Sequence, residues 1–373
     1  MIVHRPALEQ RVLQALDAGR IPVLLGGCGV GRTSALLRLA SHLGNGRSQY
    51  IDVAAAATTP ERCLQAVVRA TAPGAAATLA PPASARAAFD ALLAFLDSAS
   101  APGGGPVTFL CDEILDIRTF ESFPGLRHVQ RELIDRLAAS ANGFVLASRF
   151  TARAHRLLRD ATARFEVIHV PPFGDDDVRG LLAQRNASGS LTAAQTAAVA
   201  ALSGHRAAYA AVLLETLLAQ PAARRSPVDA LARALSPDGP LAARCRESYE
   251  FRLHRARGYG ALKAILGVLA EQESLTLTEI SQRLQRTPGS TKDYLSWLED
   301  VDLLSMQRKR YVFDDPLLRL HIRLYGGPTP PDHAQIAAEV AAFASGCIPD
   351  AVPEPEPVLA TAGADRSGII EID

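Results

Sequence analysis

The tightest constraint on this chain is a glycine-rich octapeptide, Gly26-Gly27-Cys28-Gly29-Val30-Gly31-Arg32-Thr33, set between two segments of different periodicity. Before it, Ile21–Leu25 is a compact apolar run that suits a buried strand. After it, Leu36, Leu37, Leu39 and Ala40 recur at helical spacing as far as Leu43. A strand that turns through closely spaced glycines into a helix can curl successive backbone N–H groups around an anion. The positive end of the helix dipole then adds to the field. The octapeptide follows the pattern of a glycine, four residues, a second glycine, lysine and a hydroxyl residue, except that Arg32 stands where lysine is expected. Gly26 to Ser34 is therefore a candidate phosphate cradle, with the Thr33 hydroxyl placed for Mg²⁺. The plain alternative is a strand-to-helix turn that holds no ligand.

Arg32 alters the expected chemistry more than the expected binding. Lysine is a compact point charge, whereas arginine is a wider planar fork. Only three of the 39 basic residues are lysine, so the whole composition drifts toward arginine. The amides and the positive charge survive the exchange, but the group best suited to phosphoryl transfer does not. The expectation is a site that binds ATP and hydrolyses it slowly, with Arg32 both a phosphate ligand and a candidate catalytic group.

Two further strand ends carry chemistry. Val107-Thr108-Phe109-Leu110-Cys111 is apolar and ends in Asp112-Glu113, the Walker B pattern. Asp112 would hold Mg²⁺ through water, and Glu113 would polarise the attacking water; two solvated acids at a strand end are the bland reading. Phe144–Ala147 ends in Ser148-Arg149. Ser148 would lie near the terminal phosphate and Arg149 would sense it by charge-assisted hydrogen bonds, or Arg149 is an ordinary surface arginine.

Strand-like runs at Gln49–Val53 and Phe165–Val170, with helical stretches at Ala7–Ala18, Glu61–Ala70, Ala83–Leu96, Leu126–Ala139 and Thr151–Arg159, complete an alternating pattern. Such alternation predicts an α/β parallel sheet covered on both faces. After Pro171-Pro172 helices dominate to about Arg257. From Gly258 the order is helix, helix, turn (Thr287-Pro288-Gly289), helix and an extended pair tipped by Arg308-Lys309-Arg310, which is winged helix-turn-helix order. The expected division is a P-loop core at 1–172, an all-α lid at 173–257, a winged-helix domain with a C-terminal helix at 258–345, and an acidic disordered tail at 346–373.

With these motifs in sequence, the chain resembles the AAA+/STAND group of P-loop ATPases, and within it the archaeal-type ATPases. The likeness rests on the Arg32-containing loop, Asp112-Glu113, Ser148-Arg149, Pro171-Pro172-Phe173, and the aromatic–Asp-Pro–apolar ending Tyr311-Val312-Phe313-Asp314-Asp315-Pro316-Leu317. Ser203-Gly204-His205-Arg206 resembles the lid's Gly-x-Pro nucleotide sensor, with Arg206 in place of proline. There His205 is either a nucleotide contact or simply the residue that starts a helix. The resemblance implies ATP/ADP and Mg²⁺ as ligands, and a nucleotide-controlled switch that signals or assembles. Nucleotide-dependent self-assembly would follow.

Charge narrows the partners. Basic and acidic residues balance at 39 each, so no global field draws the chain to nucleic acid or an anionic membrane. Between Arg244 and Arg323 there are 14 basic and 11 acidic residues, a surplus of three, which favours a protein-interaction or lid-supporting role for the winged helix over DNA binding. A winged-helix DNA-binding adaptor and a scaffold with a degenerate nucleotide site are the rival readings. The acidic tail closes with Ile369-Ile370-Glu371-Ile372-Asp373, a β-prone plug suited to docking on a protein partner's sheet edge. Five cysteines without a CxxC pair and no apolar run of about 18 residues point to a cytoplasmic protein with no membrane association.

Overall fold

Three short apolar runs, buried almost along their whole length, form the middle of a sheet whose two edge strands are only partly buried. The computed structural model describes residues 4–348 apart from 45, 72–79, 103, 160, 162–163, 186 and 254–257. The tail and its Ile369–Asp373 plug lie outside the described residues, as does most of the Pro73–Pro82 loop. Strands β1 (Ile21–Leu25), β2 (Ser48–Asp52), β3 (Thr108–Asp112), β4 (Gly143–Ser148) and β5 (Phe165–His169) form one sheet in the order β2-β3-β4-β1-β5. Every neighbouring pair is parallel. β1 is buried along its whole length, as a central parallel strand must be.

Helices cover both faces. On one side Arg32–Leu43 packs its Ala35, Leu36 and Leu39 with Leu8 and Val12 of the helix Pro6–Asp17. On the other, Pro60–Thr71, Ala85–Ser98 and Val129–Ala139 bury Leu64, Phe89 and Leu133 against Phe109 and Phe144. The last two rings stack across β3 and β4 with centroids 5.6 Å apart. Val129–Ala139 begins later than the sequence pattern suggests, because the preceding residues belong to a 3₁₀ helix and its exit turn. That helix, Ile114–Ser122, is absent from a reading at period 3.6; its buried Ile114, Ile117 and Phe120 recur every third residue, the 3₁₀ repeat.

Beyond Pro172, among the described residues, come the α-helices Asp175–Gln184, Ala193–Leu202, Ala207–Leu218, Pro227–Ala234 and Pro240–Leu253, with a 3₁₀ turn at Ala222–Arg224. A winged helix-turn-helix follows, with helices Tyr259–Glu271, Leu277–Arg283 and Pro288–Asp300 and strands β6 (Leu275–Thr276), β7 (Leu304–Gln307) and β8 (Arg310–Phe313). The strands form an antiparallel sheet in the order β6-β8-β7. Two-residue β6 is too short to leave a periodic signal. Arg308 and Lys309 turn the wing with φ of 52° and 66°, the left-handed pair a tight hairpin needs. Helices Pro316–Tyr325 and His333–Cys347 complete the described chain. Buried side chains from Phe173 to Ala344 make one continuous core, so lid and winged helix are packed as a unit; we propose the boundaries at 172/173 and 257/258, whereas the helix His333–Cys347 runs past the expected boundary at 345/346.

Asn142 fixes where β3 begins and hence where its acids end. It is 3 % exposed; its Oδ1 accepts from Val107 N–H at 2.9 Å, and its Nδ2 donates to the carbonyls of Leu96 (2.7 Å) and Ala99 (3.0 Å). Replacing Asn142 with Leu leaves these groups buried and unpaired. Denaturant unfolding should show a loss of about 2–3 kcal/mol, against a change under about 0.5 kcal/mol for the exposed Arg127→Ala.

Candidate functional site

Parallel register delivers the predicted residues to one edge of the sheet. Leu25, the last residue of β1, lies opposite Ser148 on β4 and His169 on β5, and Asp112 ends β3 one strand beyond β4. The loop after β1, the acids after β3 and Ser148-Arg149 therefore emerge together at the carboxyl ends of the strands, where open α/β sheets hold ligands.

The loop closes on itself through glycine. Gly29 and Gly31 adopt φ of 81° and 104°, left-handed values that other residues reach only with strain. Gly31 leads directly into the helix Arg32–Leu43, whose first N–H groups face the cleft. The cleft, of about 340 Å³, is lined by Gly29 to Ser34 on one side and by Ala207, Ala208 and Arg244 of the lid on the other. Gly26 instead packs below the loop, where an added Cβ would lie 3.0 Å from the Val30 side chain.

Thr33 Oγ donates to Asp112 Oδ2 at 2.5 Å, and the Tyr50 hydroxyl donates to the same oxygen at 3.1 Å. Burial pushes the Asp112 carboxyl above its usual range and Glu113 adds to this, against the hydrogen bonds from Thr33 and Tyr50 and the charge of Arg32. Two hard oxygen donors side by side are the chemistry Mg²⁺ takes. Tyr50, on β2, packs against the apolar core while its hydroxyl reaches Asp112, a contact that left no sequence signal.

Arg32 does not reach into open space. Its Nη1 donates to the Gly27 carbonyl at 2.9 Å and its Nη2 to Glu113 Oε1 at 2.5 Å, with the side chain 6 % exposed. Arg32 Nε is buried without a hydrogen-bond partner among the described residues. Glu113 sits in the left-handed region at φ 51°, which turns its side chain back to the sheet edge. Its second oxygen accepts from the Arg149 backbone N–H at 3.0 Å and faces Arg149 Nη1 at 3.3 Å. Arg149 also donates to both oxygens of Asp116, at 3.0 and 2.9 Å. Burial alone would lower the Arg149 pKa, but the carboxylates of Glu113 and Asp116 hold it above its ordinary value. The carboxylate read as water activator is thus gripped from both sides by guanidinium groups.

Ser148 and His205 make local contacts within the chain. Ser148 is buried, and its Oγ accepts from Phe150 N–H at 3.1 Å. His205 has φ 55°; its Nδ1 lies 3.1 Å from the Phe173 carbonyl, and its own carbonyl accepts from Phe173 N–H at 2.8 Å. The helix that follows begins at Ala207 with Arg206 as its N-cap, one residue after His205. Arg5 donates to the Pro171 and Pro172 carbonyls, just before Phe173, at 2.8 and 3.0 Å.

Arg206, which sequence reading marks only as a missing proline, is the residue that joins the units. Buried to 6 % exposure, it donates to the Cys28 carbonyl of the loop and, at 2.6 Å, to the Asp314 carbonyl after the wing. Its Nε lies 3.5 Å from Asp315 Oδ2. Asp315 in turn caps the helix Pro316–Tyr325 and accepts from the Tyr209 hydroxyl at 2.9 Å. Ala208 N–H donates to the Gly29 carbonyl at 2.9 Å, so the lid helix rests on the loop backbone.

A second cleft, of about 450 Å³, separates the core from the winged helix and carries Glu299, Asp302 and Asp314 opposite Thr151 and Arg206. Desolvation pushes the Asp302 carboxyl up to about 7, and the nearby Asp314 adds to this. Because the folded value lies above the ordinary value of about 3.9, the folded chain keeps a proton that the unfolded chain has lost. Stability therefore falls as pH rises from about 4 to 7 and the cost is complete above that window. Asp302→Asn should be more stable than the parent at about pH 8 by on the order of 1–2 kcal/mol. Denaturation midpoints of the two should converge as pH falls toward about 4.

No protein-family profile matches the chain, and no curated protein sequence is significantly similar to it. Solved structures do match. The Walker-type ATPase PABY2304 of Pyrococcus abyssi superposes with a TM-score of 0.64 at 16% identity, covering 86% of this chain and 96% of that one. The Aeropyrum pernix ORC1 protein, solved in complex with DNA, gives 0.47 at 16% identity over 92% and 93%. The Thermotoga maritima RuvB Holliday junction branch migration motor gives 0.43 at 12% over 83% and 92%. The first of these likenesses, together with the parallel sheet and the loop after β1, shows the fold: a parallel α/β core of the P-loop NTPase type, followed by helices and a winged helix.

Proposed function

We propose that this protein is a nucleotide-controlled switch of the STAND/AAA+ type that binds Mg-ATP and hydrolyses it slowly. The observation that carries the reading is the pairing of Arg32 with Glu113. The residues fit the ligand: left-handed glycines shape an amide cradle, Arg32 keeps an unpartnered buried Nε beside it, and Thr33 and Asp112 supply adjacent hard oxygens. Gly26 to Ser34 would hold the phosphates, and Thr33 with Asp112 would hold Mg²⁺. When bound, Mg²⁺ neutralises phosphate charge as it builds up in phosphoryl transfer. Glu113 is the only one of the predicted groups suited to orient water, and two guanidiniums occupy its oxygens. A base held in this way polarises water poorly.

The switch reading draws support from Arg206, which ties the loop carbonyl of Cys28 to Asp314. A ligand that moves the loop must move or break that tie, so lid and winged helix report on the phosphate site. The winged helix is itself engaged with the core: Asp300, near the end of the helix Pro288–Asp300, pairs with Arg156 at 2.5 Å and Arg153 at 3.7 Å. On the wing, Arg310 donates to the Ser274 carbonyl and faces Glu279 at 3.4 Å. These contacts favour a lid-supporting, protein-facing role over DNA binding. Nucleotide-dependent self-assembly and a protein partner at the tail belong to the same proposal, as does a cytoplasmic setting; among the described residues no helix is long and apolar enough to cross a membrane.

Calorimetric titration of the full chain with ATP tests the binding half. Affinity should rise with added Mg²⁺, and Thr33→Ala should abolish that dependence while leaving Mg²⁺-free binding within about threefold, a change under about 0.7 kcal/mol. No heat of binding from ATP or ADP, with or without Mg²⁺, would contradict the reading and leave a scaffold with a degenerate site.

A further inference from the structure

Away from the phosphate loop, a cavity of about 330 Å³ opens where the helices Pro240–Leu253, Tyr259–Glu271 and Pro316–Tyr325 diverge. None of the loop residues line it. Its walls carry two aromatic rings, Tyr249 and Tyr325, and the imidazole of His321. His321 lies against Tyr325 with ring centroids 4.8 Å apart and planes 31° apart. Lys263 stands over the Tyr249 ring at 5.4 Å and is paired with Glu250 at 3.2 Å, so its charge is already balanced. Arg246 is different: it is exposed at the rim and makes no ion pair or hydrogen bond among the described residues.

His321 is 6 % exposed and makes no hydrogen bond among the described residues. Its Nδ1 is sealed without a partner, while Nε2 is not among the sealed atoms, so the imidazole's remaining access is through Nε2. Burial, reinforced by the charge of Arg246, lowers its pKa to about 4, which keeps the ring neutral near pH 7. A neutral imidazole offers one donor and one acceptor, and a buried polar ring left unmatched costs stability.

Gly267 supplies the space. It sits inside the helix Tyr259–Glu271, where glycine costs about 1 kcal/mol relative to alanine. A Cβ added there would meet nothing within 4 Å. The glycine is not needed for close packing or for an unusual backbone, so it keeps the wall of the cavity open. The volume lies at the small end of ligand pockets, which run from roughly 300 to 1,000 Å³.

We infer that this cavity is a binding site for a small aromatic carboxylate, its ring held between Tyr249 and Tyr325, its carboxylate by Arg246, and its edge by His321. Tyrosine faces and an imidazole favour a planar ring. One unpaired guanidinium at the rim favours a single anionic group, which it can engage in a bidentate pair. The helix that carries His321 and Tyr325 is the one Asp315 caps, and Asp315 faces Arg206. The cavity and the phosphate loop thus share one helix and its cap, and a ligand here is placed to act as an effector.

The test uses the full chain with benzoate, indole-3-carboxylate and the neutral benzamide as probes, read by saturation-transfer NMR and by titration. At least one carboxylate should bind and benzamide should bind about tenfold more weakly or not at all, the loss of a charge-assisted pair. Gly267→Leu, which fills the cavity while improving helix propensity, should abolish carboxylate binding without lowering Tm, and Arg246→Gln should weaken it about tenfold. No binding of either carboxylate to the parent chain overturns the assignment. So does binding that survives Gly267→Leu. Neither result bears on nucleotide binding at the loop.

Discussion

Everything at the sheet edge depends on how Glu113 is held. Its two oxygens are divided between Arg32 on the helix after β1 and Arg149 after β4. This division is available because β4 lies between β1 and β3, so the strand carrying the acids and the strand carrying the loop are reached from a common neighbour. An arginine at position 32 is long enough and wide enough to touch the Gly27 carbonyl and Glu113 at once. A lysine ammonium is a single compact charge without that fork. The exchange at Arg32 therefore changes the state of a second residue. Charge-assisted hydrogen bonds among buried side chains are strong, and removing one member leaves the others buried and uncompensated.

A second tie extends the site beyond the core. Arg206 brings the loop, the lid and the segment after the wing into one hydrogen-bonded group, and Asp315 fixes that group to the cap of a helix shared with the remote cavity. Opposite it, the core–wing cleft brings Asp302 and Asp314 close together with raised carboxyl pKa values, chiefly through burial. The interface is thus held by buried Arg206 and by the pairs of Asp300 with Arg153 and Arg156, and weakened by neighbouring acids. A contact balanced in this way is easily biased by a ligand on either side.

Much of this was legible in the sequence. The alternation of apolar runs and helical stretches through Val170 predicts the parallel sheet, and the motifs at Gly26–Thr33, Asp112-Glu113 and Ser148-Arg149 fall on one edge because parallel strands all end there. The order of helices and extended pairs after Gly258 gives the winged helix. What the sequence did not carry is side-chain geometry over long separations. Nothing local in Arg206 points to partners 108 and 178 residues away, and nothing in Tyr50 marks it as a donor to Asp112. The 3₁₀ helix Ile114–Ser122 escaped because its repeat is three, and β6 because two residues have no repeat at all. Arg32 itself was visible, but only as an exchange of charge type; its grip on Glu113 depends on the fold.

The measurement that bears most directly on the central claim is phosphate release from Mg-ATP by the parent chain beside its Arg32→Lys variant, with Glu113→Gln as the reference for lost chemistry. If the Arg32–Glu113 pair restrains hydrolysis, the parent turns over well below the usual range of about 1–100 per second, and Arg32→Lys is about tenfold faster or more. Adding Glu113→Gln to that variant returns the rate to the parent's or below. A parent already within that range, or an Arg32→Lys variant no faster than the parent while still binding ATP, would contradict the account.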